Sequence, residues 1–249
     1  MEKQRNKLIS IVGLTASGKS AIGIELAKLF NGEIISADSR QVYNRLDIGS
    51  AKVTTEERAL APHHLLDVVE PEQPFDVFTF QQLATAAIDD IFSRGKLPII
   101  VGGTGLYSRS IVENYSFNKS VGASDARPHS LEILQIALLP PKEWLRPRIE
   151  QRNHIRLKQG NLEETKALLK SGVSERWLKT LGLDYYWNVL AIRGEITMDE
   201  YHYWLTTKTM QYAKRQRTWF KREKNTIFLT NPETFLSECI TLTKEFLRN

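Results

Sequence analysis

Residues Gly13–Ser20 read G-L-T-A-S-G-K-S, the spacing of a phosphate-binding loop, G-x-x-x-x-G-K-[ST]. Glycines let backbone N–H groups approach an anion closely, and a helix starting there points its positive end at it. Lys19 adds a full charge, and the Ser20 hydroxyl is a ligand for Mg²⁺. Such a loop binds a di- or triphosphate, without saying whose. Two shorter clusters add chemistry. Ser36–Tyr43 (S-A-D-S-R-Q-V-Y) carries Asp38, a carboxylate able to bind a cation or accept a proton. Gly102–Tyr107 (G-G-T-G-L-Y) sets the Thr104 hydroxyl on a glycine turn. Farther on, Tyr212–Arg222 (Y-A-K-R-Q-R-T-W-F-K-R) joins Lys214, Arg215, Arg217, Lys221 and Arg222 to three aromatic residues. Cations pair with phosphates and aromatic rings stack on bases, although Trp219 and Phe220 read first as anchors that pack their helix down.

The elements that position these groups are legible as alternating strands and helices. Lys7–Gly13, Glu33–Ala37 and Leu97–Val101 are short β-branched runs, and each ends where one of the first three clusters begins. Lys19–Phe30 and Phe80–Ser93 have helical period, closed by Asn31-Gly32 and Gly95. Leu131–Leu139 reads as a further strand, and Glu143–Lys158, Leu162–Lys170 and Met198–Lys224 as helices. The fold class is therefore α/β, a P-loop NTPase-like parallel sheet flanked by helices, with a C-terminal helical basic module. Residues 1–113 with 131–141 form the core, 114–130 a polar linker, and 142–249 a helical region packing on the core.

From Lys142 to Lys224 there are 18 Lys and Arg against 10 Asp and Glu, whereas the whole chain carries a net charge of +5. The excess lies in the C-terminal part and suits a polyanionic partner, or else a solvated helical surface. No apolar stretch is long enough to span a membrane. One cysteine, Cys239, excludes an internal disulfide and a thiolate zinc cluster, so a cytoplasmic setting is expected.

Together these stretches resemble the tRNA dimethylallyltransferases, also called tRNA isopentenyltransferases. The resemblance rests on Gly13–Ser20, Ile34–Tyr43, Asp47–Lys52 (D-I-G-S-A-K), His63–Asp67 (H-H-L-L-D), Gly95–Tyr107 and Tyr212–Phe220. It implies that the loop holds dimethylallyl diphosphate through Gly13, Thr15, Ala16, Ser17, Gly18, Lys19 and Ser20, with Lys214 and Arg215 as further diphosphate contacts. Ser20 would ligate Mg²⁺. Asp38 is then the general base for an adenine amine of tRNA, with Thr104 bonding the reacting region. Ser39, Arg40, Gln41, Gln216, Arg217, Lys221 and Arg222 would face the tRNA. A monomer is expected.

The chain departs from that pattern in places. Leu14 stands at the loop's usual proline, Met210 at a usual arginine, and Gly182-Leu183-Asp184-Tyr185 at a G-Y-K-E-like motif. The family's helical insertion is replaced by the short polar segment, and the arginine-containing helix that follows it is expected to be missing. Three other readings compete. Prenylation of a free adenine nucleotide suits the short insertion. A non-catalytic RNA-binding paralogue suits Met210. A P-loop small-molecule kinase needs ATP, and the D-S-x-Q-V-Y and G-G-T-G-L-Y pair speaks against it.

Overall fold

The computed structural model describes residues 6–114 and 131–249. Six strands form one sheet in which every pairing is parallel. In chain order they are β1 (Asn6–Gly13), β2 (Gly32–Ser36), β3 (His63–His64), β4 (Leu97–Gly102), β5 (Leu131–Leu138) and β6 (Thr226–Leu229), arranged β3-β2-β4-β1-β5-β6. Strand alternation builds the two faces. Ile9, Ile11, Ile34, Ile99 and Val101 join a cluster with α1 (Lys19–Leu29) and α10 (Phe235–Arg248). Leu8, Ile35 and Ile100 point the other way, onto α3 (Val77–Ser93) and α4 (Gly105–Val112).

The order of strands decides where the chemistry sits. β2, β4 and β1 are neighbours, so the segments leaving their C-terminal ends lie side by side. Those segments carry Asp38, Thr104 and the phosphate loop.

A second layer of helices covers this edge: α5 (Lys142–Lys158), α6 (Asn161–Lys170), α7 (Glu175–Leu181), α8 (Leu183–Arg193) and α9 (Met198–Phe220). A capping box at Thr197 and Glu200 starts α9. Ala213 and Phe220 of α9 pack with Leu145 and Ile149 of α5 against Val12 and Leu14, which fixes both helices to the loop. The sequence read 142–249 as helical throughout, and the structure adds one strand to it. β6 extends the sheet beside β5, and Leu229, Phe235 and Cys239 belong to the same core cluster as Ile9. The linker expectation falls, apart from Asn114, outside the described residues.

The histidine motif, and the D-I-G-S-A-K motif with it, turn out to hold the sheet edge. His64 Nε2 lies 2.7 Å from Glu33 Oε2, and Lys96 Nζ donates to Glu33 Oε1 at 2.7 Å, with Arg94 bonded to the same carboxylate. Lys52 Nζ reaches Asp47 at 2.6 Å and Asp67 at 2.5 Å, pinning the loop after β2 to the motif's last residue. The bonds from Arg94, above all, hold the Glu33 carboxyl well below its ordinary range. A carboxyl depressed in the fold adds stability that is complete above its unfolded value and is lost as pH falls. Glu33→Gln should therefore cost about 1.5–3 kcal/mol near neutrality, the scale of a bond to a charged group. The gap between the two melting curves should narrow below about pH 4, where the unfolded carboxyl protonates. A gap independent of pH would show that packing, and not charge, sets it.

Candidate active site

The phosphate loop follows β1 directly. Its backbone takes a left-handed turn at Ala16, φ 60°, before α1 begins at Lys19. Leu14 donates its N–H to Leu138 O at 3.2 Å, a bond that proline would lack, and its carbonyl accepts from Lys19 Nζ at 2.6 Å. Leu14 and Met210, two of the departures from the family pattern, share one apolar cluster. The helix side chain that faces this region is thus matched to the leucine in the loop.

Two side chains from outside the loop hold it open. Gln216 of α9 accepts from Thr15 N at 2.8 Å and donates to Gly103 O at 2.9 Å, tying the phosphate loop to the G-G-T-G turn. Arg152 of α5 donates to Thr15 Oγ1 at 2.9 Å. The turn is glycine-rich because the second layer presses on it. A Cβ on Gly103 would lie 2.6 Å from Gln216 Nε2, and one on Gly105 2.2 Å from Trp219 Nε1. Trp219 and Phe220 are packing anchors, Phe220 in the core and Trp219 against Arg109 at 4.6 Å.

Asp38 and Thr104 both line one cavity. Ser39 N donates to Thr104 Oγ1 at 3.1 Å, and Arg40 N to Asp38 Oδ1 at 2.8 Å. One Asp38 oxygen is thereby oriented by backbone. The cavity is open to solvent on one side, measures about 730 Å³ and is lined by Thr15, Asp38, Ser39, Arg40, Thr104 and Arg215, among others. It is also lined by Arg152, Arg156 and Lys208, against the carboxylates Asp38 and Asp184. Five cations thus face two acids, a balance that suits an anionic ligand.

Sequence reasoning missed the two arginines. They belong to α5, where Arg152 and Arg156 lie one turn apart and both line the cavity. Arg156 donates to Ile48 O at 2.8 Å and pairs with Asp184 at 2.5 Å. Tyr185 donates to Glu164, which accepts from the backbone N–H groups of Asp47, Ile48 and Gly49. The G-L-D-Y segment therefore shapes the cavity wall. Spacing of four between arginines on an amphipathic helix was the available signal, but a solvated face gives the same pattern.

Other sequence-predicted residues have structural duties. Gln41 accepts from Ser36 Oγ at 3.0 Å and donates to Ala51 O at 3.1 Å, away from the cavity lining. Arg217 bonds the carbonyls of Leu139 and Pro140, stapling α9 to the end of β5. Arg215 lies over the Tyr212 ring at 5.7 Å, and Lys214, Lys221 and Arg222 are exposed.

Burial pulls the Lys19 ammonium down to about 8, with Asp38 opposing the shift and Arg152 adding to it. Burial likewise lowers Arg152 to about 10, aided by Arg156, and raises the Tyr212 phenol to about 12. Among the described residues five buried side-chain polar atoms lack a hydrogen-bond partner, and three of them, Ser17 Oγ, Arg152 Nε and Trp219 Nε1, belong to the loop or to the cavity wall.

Comparison with known proteins agrees with this geometry. A family model described as IPP transferase matches residues 41–130 and 117–223, and one described as isopentenyl transferase matches 6–63. The tRNA dimethylallyltransferase of Exiguobacterium sp. is 37% identical, aligned over 91% of each chain. The chain belongs to the IPP transferase family. The tRNA dimethylallyltransferase 2 of Shewanella sediminis is 39% identical over 86% of this chain and 89% of its own. A crystal structure of the full-length tRNA isopentenylpyrophosphate transferase of Bacillus halodurans superposes with a TM-score of 0.86 at 29% identity, covering 98% and 97% of the two chains. The alignment to the Exiguobacterium relative spans 284 positions against a chain of 249, so at least 35 of them have no counterpart here (284 − 249). The chain is thus internally shorter than this relative.

The lowered Lys19 value gives a testable pH dependence. An anion bound beside the ammonium holds the proton on, so binding a diphosphate raises that value again. Diphosphate affinity should fall by up to about ten-fold per pH unit above 8, with proton uptake on binding there. Calorimetry in two buffers of different ionisation enthalpy checks this; no proton uptake at pH 8 would mean that Lys19 does not touch the ligand.

Proposed function

We propose that this protein transfers a dimethylallyl group from dimethylallyl diphosphate to the exocyclic amine of an adenine in tRNA, next to the anticodon. The observation that carries the proposal is that Asp38 and Thr104 line one cation-rich cavity together with Thr15, the one residue of the phosphate loop that reaches it. The relatives' names give the same reaction class.

The donor's diphosphate would lie along the loop, answering the unpartnered Ser17 hydroxyl and Arg152 Nε. As the allylic C–O bond breaks, both its electrons go to the diphosphate. Lys19, Arg152 and the loop N–H groups stabilise that charge. The adenine nitrogen supplies the electron pair of the new C–N bond. Asp38 accepts the proton that this nitrogen gives up, held in place by the Arg40 N–H. Thr104, fixed by Ser39, orients the acceptor. Mg²⁺ is a hard cation that takes oxygen ligands, and the loop offers it one, the neutral Ser20 hydroxyl. Ser20 would hold it together with diphosphate oxygens, and it would supply Lewis-acid neutralisation of the leaving group. The base must leave its stack to enter the cavity.

Among the described residues no helix is long and apolar enough to cross a membrane. We place the enzyme in the cytoplasm as a monomer. The sole cysteine fits a reducing compartment: Cys239 is buried, and burial pushes its thiol up to about 12.

Labelled dimethylallyl diphosphate offered with total tRNA, AMP or ATP tests the reading. Label is expected in adenosine of digested tRNA. Label only in AMP would replace tRNA with a free nucleotide, and tight ATP binding with no donor response would mean a kinase.

A further inference from the structure

Helices α8 and α9 pack together through Tyr185, Val189, Tyr201 and Leu205, all buried. Their opposite faces carry aromatic residues that no core explains. Tyr203 is 60% exposed, and Tyr186 and Trp204 are 37% exposed each. The rings are nonetheless ordered among themselves. Trp187 and Trp204 are parallel within 5°, centroids 5.8 Å apart, and Tyr186 and Tyr203 stand edge-on to them at 5.0 and 5.1 Å. Lys208 Nζ lies 5.6 Å from the Trp204 ring.

Position makes this patch informative. Tyr186, Trp187 and Lys208 line the cavity, so the patch continues its wall to the outside. On α9, Trp204, Lys208 and Tyr212 are spaced by four, which puts them in one row on one face. The row climbs roughly 12 Å from Tyr212 at the cavity to Trp204, the length of three to four stacked nucleotides. A row of flat rings with interleaved cations matches a single-stranded nucleic acid, which offers bases to stack and phosphates to pair.

We propose that Tyr186, Trp187, Tyr203 and Trp204, with Lys208, form a stacking platform for the unpaired bases that flank the reacting adenine. The proposal rests on the RNA reading above and adds where the loop leaves the cavity. It also supplies a grip to a chain that lacks at least 35 positions found in the Exiguobacterium relative. The platform holds the neighbours of the flipped base and replaces the stacking they lose when it leaves them.

The test uses the full chain and an anticodon stem-loop RNA with an adenine 3′ to the anticodon. Binding is read by fluorescence anisotropy across a salt series. Tyr203→Ser with Trp204→Ser should raise Kd by ten-fold or more, the loss expected for one or two stacked bases. The slope of log affinity against log salt should not change, because no phosphate contact is lost. Lys208→Ala should instead flatten that slope by about 0.7. Donor affinity of the Tyr203 and Trp204 variants reports that the phosphate loop is intact, and Trp204→Phe should restore most RNA affinity.

A second measurement needs no variant. Stem-loops carrying 4-thiouridine on either side of the adenine should crosslink to the peptides containing Tyr203 and Trp204. If wild type neither binds nor prenylates the stem-loop, the RNA reading itself falls. If it does both, yet the double variant keeps Kd within two-fold and crosslinks map elsewhere, the platform alone falls. Wild-type dimers that the double variant dissolves would make the patch a self-interface and overturn the proposal.

Discussion

Asp38→Asn is expected to lower the single-turnover transfer rate by about 10²–10⁴-fold, the range for loss of a positioned general base. The substitution is nearly isosteric. Its amide oxygen can still accept from the Arg40 N–H, so the segment after β2 should keep its shape. Phosphate-loop contacts are untouched, because Thr15 is held by Gln216 and Arg152 and not by Asp38. What changes is the ability to take a proton as the C–N bond forms. Removing the negative charge also takes away an interaction that favours the charged Lys19, so donor affinity should shift by far less than the rate. Rapid-quench measurement at saturating donor and RNA gives the rate, and calorimetry the donor affinity. Near-wild-type turnover would reduce Asp38 to a binding residue and leave the proton to solvent.

Lys19→Ala should cost about 10²–10³-fold in transfer rate, the effect of removing one donor aimed at a developing anion. Donor affinity should fall with it, because the diphosphate is charged before as well as after the bond breaks. The variant also loses the bond from Nζ to Leu14 O. That carbonyl lies beside the helix start, and the loop remains anchored by Leu14 N to Leu138 O, by Gln216 and by Arg152. A melting temperature close to wild type is expected, which separates loss of chemistry from loss of fold. Arg152→Ala makes a useful companion, since it removes a buried cation with an unpartnered Nε and releases the Thr15 hydroxyl. Unchanged donor affinity in Lys19→Ala would show that the loop binds something other than a prenyl diphosphate.

Local order made part of this protein legible in its sequence. The phosphate loop, Asp38 and Thr104 each follow a short apolar run at a strand's end, and glycine spacing with a neighbouring polar residue states what the backbone does there. The strands β1, β2, β4 and β5 were visible for the same reason: both faces are covered, so their residues are apolar in succession. β6 escaped because it is a short edge strand, with Ile227 38% and Phe228 41% exposed, in a region that otherwise reads as helix.

Sequence by itself determined a phosphate loop, a parallel sheet, a carboxylate and a hydroxyl at strand ends, and a basic C-terminal part. Only the tertiary structure decided which cations face the cavity. Arg217, in the most basic stretch, bonds the carbonyls of Leu139 and Pro140, whereas Arg152 and Arg156, on a helix to which the sequence assigned no role, line the cavity. The physical reason is that an arginine is the same residue on a solvated face, at a helix joint or in an anion site. Which of these it occupies depends on how its helix is rotated against the sheet. That rotation is set by Leu145, Ile149, Ala213 and Phe220 packing on Val12 and Leu14, contacts between residues up to two hundred positions apart in the chain.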